Sequence, residues 1–122
     1  MNIIFGKENL PEVDEKYTVL ELDTFRILPV QQLVTAYCLV ENIPIQNLPK
    51  VESMRDLHEN LLINYRKRDW NYCEQALEHL VGFWGSEMDT YYTTLIQRIA
   101  KYSEQDPGEL FDGIIEKTAR SQ

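Results

Sequence analysis

Two prolines, Pro44 and Pro49, divide this 122-residue chain into parts with different hydrophobic periods. Each lacks a donor N–H and restricts the residue before it. Ile43-Pro44-Ile45-Gln46-Asn47-Leu48-Pro49 therefore reads as a connector rather than regular helix or central strand. Before it, β-branched and aromatic residues recur as they do in strands. After it, apolar residues recur at helical spacing. Strands followed by helices is the order of the α+β class: here an N-terminal three-stranded antiparallel sheet, then a three-helix region and a short C-terminal segment. A chain this long buries roughly two-thirds of its unfolded surface, so a single domain is expected. It comprises a β-rich part over residues 1–43, the connector over 44–50, a helical part over 51–116 and a frayed tail over 117–122.

The expected strands cover residues 2–5, 17–28 and 33–40. The second and third are joined around Pro29, Gln31 and Gln32 as an antiparallel hairpin, within a small meander covered by helices on one side. Along the second run the alternation changes phase: Leu20 and Leu22 share one face, Phe25 and Ile27 the other. Either a bulge lies near Asp23 or the strand is covered on both faces.

The first helix carries Met54, Leu57, Leu61, Leu62 and Tyr65 as an apolar stripe, with Ser53 and Asp56 as its start signal. The second follows Asp69 as N-cap, with a stripe of Trp70, Cys73, Ala76, Leu77, Leu80, Val81 and Trp84 and a stop at Gly85. The third opens on a Ser86-Glu87-Met88-Asp89 capping box. Its stripe is Met88, Tyr91, Tyr92, Leu95, Ile96, Ile99 and Tyr102, and Asp106-Pro107-Gly108 ends it.

Twelve Lys and Arg against twenty Asp and Glu give a net charge of −8. That argues against binding nucleic acid through phosphate contacts, and against anionic membrane surfaces. No run is long and apolar enough to span a bilayer, and the first residues lack the pattern of a signal peptide. Cys38 and Cys73 form no C-x-x-C pair and sit among apolar residues, as buried free thiols do. A cytoplasmic location is expected.

No catalytic motif is present. The five glycines are scattered, which excludes a phosphate-cradling loop or dinucleotide fingerprint. No G-x-S-x-G surrounds a serine, and Cys73 and His79 fall on different helical faces. His58 and His79 lack the convergent partners that a metal site needs, so both read as polar-face or boundary residues. No cofactor or metal is expected. Arg66-Lys67-Arg68 beside Tyr65 and Trp70 is the one basic-aromatic cluster, suited to a phosphate or a stacked base; its place at a helix end also satisfies the dipole.

Adding 34 to the first helical stripe gives Met88, Tyr91, Leu95, Ile96 and Ile99, all apolar. That period is the length of a tetratricopeptide repeat. The turn Tyr65-Arg66-Lys67-Arg68-Asp69-Trp70-Asn71-Tyr72-Cys73 resembles the hairpin of that family, an aromatic closing one helix and an aromatic then a small residue opening the next. The resemblance covers about residues 53–102. It departs where Leu61 or Leu62 stands for a small residue, and where Pro107-Gly108 blocks a second full repeat. A similar Tyr-x-x-x-Asp-Trp pattern occurs in helical tails of bacterial nucleotide cyclases. Through Asn2-Ile3-Ile4-Phe5-Gly6 and the Tyr65–Trp70 stretch, the chain also resembles short proteins of marine cyanobacteria and their tailed phages, a likeness that implies no activity.

The expected function is that of a non-enzymatic adaptor or regulator that contacts a protein partner through Trp70, Trp84 and Tyr92. The partner can be a second copy, giving a homodimer through the second and third helices. The alternative is a small enzyme or ligand-binding protein with a cleft between sheet and helices, to which His58, Asp56, Arg66, Lys67 and Arg68 would contribute.

Overall fold

A computed structural model of the chain describes residues 3–10, 17–41 and 48–118. Strands β1 (Ile3–Phe5), β2 (Tyr17–Leu28) and β3 (Gln32–Glu41) precede helices α1 (Leu48–Arg66), α2 (Trp70–Leu80) and α3 (Ser86–Glu104), and strand β4 (Ile115–Thr118) closes the order. The fold is α+β. Two compact units divide it, one made of residues 1–42 and 113–122 and the other of residues 43–112.

The sheet is four-stranded and mixed, in the order β1-β3-β2-β4. The expected β2–β3 hairpin is present and antiparallel, with β1 antiparallel on the far side of β3. This order is not a meander, because β1 pairs with β3 rather than with its sequence neighbour. The fourth strand pairs in parallel with β2 from Phe25↔Ile115 to Leu28↔Thr118. Residues 115–116 therefore leave the helical part, and residues 117–118 form strand rather than frayed tail; residues 119–122 lie outside the described residues. Both edge strands are short, three and four residues, which limits what an edge offers to another chain.

Of the two explanations for the phase change in β2, the bulge is the one realised. Leu20 stands opposite Cys38 and Phe25 opposite Val34, with the register shifting between Glu21 and Thr24. Cys38 and Val34 are an even number of residues apart and share a face. The shift thus turns Phe25 and Ile27 onto the face of Leu20 and Leu22, where Leu20, Leu22, Ala36 and Cys38 are buried. Phe5 reaches the same face and packs on Phe25 at 6.3 Å between ring centroids.

In the other unit α1 begins earlier than its Ser53 signal. Pro49 occupies its first turn, where amide groups have no intrahelical acceptor and a missing N–H is tolerated. Residues 48–50 of the expected connector are therefore helical, and residues 44–47 lie outside the described residues. Ser53 and Asp56 are exposed positions within the helix. At its other end α1 closes by a Schellman motif: the Asp69 amide donates to the Asn64 carbonyl and the Arg68 amide to that of Tyr65. Arg68 takes the left-handed conformation, φ 64°. Asp69 then caps α2 as expected, accepting the Tyr72 amide at 3.1 Å.

The α2–α3 junction is less regular than its sequence suggests. α2 stops at Leu80, before Trp84, and Val81 is extended. Gly82 and Gly85 have φ of 90° and 118°, conformations that disfavour any residue with a Cβ. Gly85 rather than Ser86 is the N-cap of α3, so no side-chain capping bond is made from that position. Asp89 instead accepts the Gly82 amide at 2.8 Å, tying the loop to the first turn of α3.

Candidate functional site

The helical unit holds the residues singled out from sequence, but distributes them differently. His58 is fully buried, which overturns its reading as a polar-face or boundary residue. Its Nδ1 lies 2.9 Å from the hydroxyl of Tyr92. Helical spacing places it with Met54, Leu61 and Tyr65 on the buried face of α1. Tyr92 is also fully buried, so it cannot serve as an exposed partner contact. Of the adjacent pair, Tyr92 points inward and Tyr91 is half-buried. His79 is exposed and Cys73 buried, as their spacing requires.

Trp70 belongs to an aromatic cluster. It stacks on Tyr102 at 5.5 Å and meets Tyr65 and Phe111 edge-on at 5.8 and 5.7 Å. Phe111 closes the group against Tyr65 and Tyr102. The cluster therefore joins the end of α1, the start of α2, the end of α3 and the segment after it. Trp84 is separate: half-buried, it packs edge-on against Phe83 at 4.8 Å. Its buried indole N–H has no acceptor among the described residues.

The basic run does not act as one cluster. Arg66 and Lys67 are exposed, while Arg68 donates to both carboxylate oxygens of Asp106, at 3.1 and 3.3 Å. The Gly108 amide and then the Arg68 guanidinium hold the Asp106 carboxyl below its usual range. Arg68 is thereby engaged in closing the helical unit. A polar recess of about 340 Å³ lies beside it, lined by Arg68, Asp69, Trp70, Asn71, Glu74 and Ser103.

Beyond Glu74 the same α2–α3 seam becomes apolar. A groove of about 350 Å³ is lined by Leu77, Val81, Ile96, Ile99 and Ala100, with Glu74 and Glu78 as its only charged residues among those described. Leu77 and Ile99 form its buried floor, whereas Val81 and Ile96 are 44% and 46% exposed. Both stand at the margins of their stripes in the sequence and read there as core.

The chain matches no family model, no curated protein and no solved structure. Its functional reading rests on geometry. Among the described residues no three His, Cys, Asp or Glu side chains gather as metal ligands would, and no helix is long and apolar enough to cross a membrane. Both cysteines are buried, and neither is in a disulfide. Burial foremost, with Asp69 and Glu74 adding, pushes the Cys73 thiol up to about 12; Sγ–H donates to the Leu61 carbonyl at 3.7 Å. Such a thiol is neutral at physiological pH and unsuited to nucleophilic attack.

Proposed function

We propose that the chain is a small cytoplasmic protein-interaction adaptor, and that the α2–α3 groove is where it holds its partner. The observation that carries this reading is the pair Val81 and Ile96, both nearly half exposed over an apolar floor. Aliphatic side chains lining a concavity gain by covering it, at about 25 cal/mol per Å² of apolar surface removed from water. Interaction sites commonly join such an apolar centre to a polar rim.

The helical hairpin is tetratricopeptide-like in this proposal. The Tyr65–Trp70 contact, the Asp69 cap and Cys73 against the Leu61 carbonyl support that likeness. Partner contact moves from Trp70, Trp84 and Tyr92 to the groove, because Tyr92 is buried and Trp70 is held in its cluster.

Panning a random peptide library against the full chain tests the proposal. The selected peptides are expected to lose binding to Val81→Asp and Ile96→Asp variants that retain wild-type circular dichroism. Peptides that bind these variants unchanged would place the contact elsewhere.

A further inference from the structure

From Met54 to Tyr65, the buried residues of α1 have buried counterparts 34 positions on in α3, with one departure. Met54 and Met88, His58 and Tyr92, Leu61 and Leu95, and Tyr65 and Ile99 are all buried. Leu62 is 4% exposed, but its counterpart Ile96 is 46% exposed. The two helices differ in their successors along the chain. α1 has α2 as its hairpin partner, whereas α3 runs into Asp106-Pro107-Gly108 and no further helix succeeds it among the described residues. The face of α3 that repeats α1 is thus left with an open apolar position, and that position lies in the groove.

The charge around the groove has one sign. Glu74 and Glu78 stand one turn apart on α2, which carries no Lys or Arg from end to end. The C-terminal end of its dipole lies at the Val81 side of the groove and adds negative potential. Neither Arg98 nor Lys101, the bases of α3, is among the lining residues. A second copy of the chain would bring like charge to this rim, on a molecule already at −8.

The floor and rim also fix a length. Trp70, Glu74 and Leu77 run along α2 to Val81, the residue that caps its C-terminus, and connect the polar recess to the apolar groove. Eleven helical residues at about 1.5 Å each give a seam of roughly three turns. From the open repeat position and the acidic rim together, we infer that the groove receives an amphipathic helix of a partner protein, about three turns long, with basic side chains beside its apolar stripe. This rests on the groove being the contact surface. Apolar anchors at i, i+4 and i+7 would enter between Val81 and Ile96, and Lys or Arg would face Glu74 and Glu78.

Fluorescence anisotropy with the full chain and designed peptides tests it. The probe is a side-chain-bridged helical peptide with a leucine stripe flanked by lysines; its twin carries glutamate at every lysine. A third peptide has the lysines but a central proline. The lysine peptide is expected to bind roughly tenfold more tightly than its glutamate twin, a gap that closes as salt rises. Glu74→Lys with Glu78→Lys should invert the preference, Val81→Asp should remove binding of both, and the proline peptide should bind weakly. Equal binding of the twins, or full binding of the proline peptide, would overturn the inference while loss in Val81→Asp left the groove intact as a contact surface. Binding indifferent to Val81→Asp and Ile96→Asp would sink the groove reading and the inference with it. A dimer mass by light scattering that Val81→Asp converts to monomer would make the occupant a second copy, and would also overturn it.

Discussion

His58 on α1 and Tyr92 on α3, 34 residues apart, meet inside the helical unit, Nδ1 to hydroxyl at 2.9 Å. Their ring centroids are 5.7 Å apart in an edge-on arrangement, so a polar contact and a packing contact coincide. A buried polar group that loses a partner carries its desolvation cost unrepaid. Tyr92→Phe is expected to destabilise the chain by about 1–2 kcal/mol, and His58→Leu by a similar amount. The double variant should lose less than their sum, with a coupling of about 1 kcal/mol. Urea denaturation of the four proteins checks this; additive losses would show that the bond contributes nothing of its own.

Cys73 gives a pH-dependent prediction. Its thiol is raised in the folded chain from 9.0 to about 12, so the folded state keeps a proton that the unfolded chain releases. The stabilising contribution is complete below pH 9 and is lost as pH rises through about 12. In a Cys38→Ala background, which isolates this thiol, alkylation at pH 8 should be slow in the native protein and fast in guanidinium. Rapid native labelling would contradict the burial of Cys73.

Trp84 and the aromatic cluster around Trp70 should differ in what a substitution costs. Trp84 keeps a buried indole N–H without an acceptor among the described residues, and phenylalanine would remove that donor. Trp84→Phe should change stability by less than about 1 kcal/mol, because lost apolar area offsets a removed desolvation cost. Phe111→Ala takes away the ring that touches Tyr65, Trp70 and Tyr102. It should cost about 2 kcal/mol and alter the near-ultraviolet circular dichroism of the stacked Trp70–Tyr102 pair. A large loss in the first variant and none in the second would contradict both assignments.

Much of this arrangement is legible in the sequence, and the failures have physical causes. The phase change between Leu22 and Phe25 narrows β2 to a bulge or burial on both faces, because period-2 alternation does not otherwise slip, and the register shift decides for the bulge. The Asp69 cap is readable because an aspartate before an apolar stripe satisfies a free amide locally. Strand β4 is not readable: Ile115-Glu116-Lys117-Thr118 is short and charged, and its partners Phe25–Leu28 lie 90 residues earlier in the chain. Pro49 reads as a break from its missing donor alone, yet in the first helical turn that donor has no acceptor to lose. His58 reads as a boundary residue through its charged neighbours Asp56 and Glu59, although its spacing from Met54 and Leu61 places it on the buried face. Tyr92 reads as exposed because a pair of adjacent tyrosines does not itself reveal which one faces inward. The groove escapes notice because Val81 and Ile96 look like core residues to any periodic pattern. Only the number of helices available to cover them shows otherwise.

The most direct test of the groove as the contact surface is an amide-resolved NMR titration of the isotope-labelled full chain with the lysine-flanked helical peptide. Shifts are expected to concentrate at Leu77, Val81, Ile96, Ile99 and Ala100 and along the Glu74–Glu78 rim, with the sheet unchanged. Shifts centred on the exposed residues Phe5, Val30 and Leu33 of the sheet unit, with α2 and α3 silent, would contradict the groove as the site of contact.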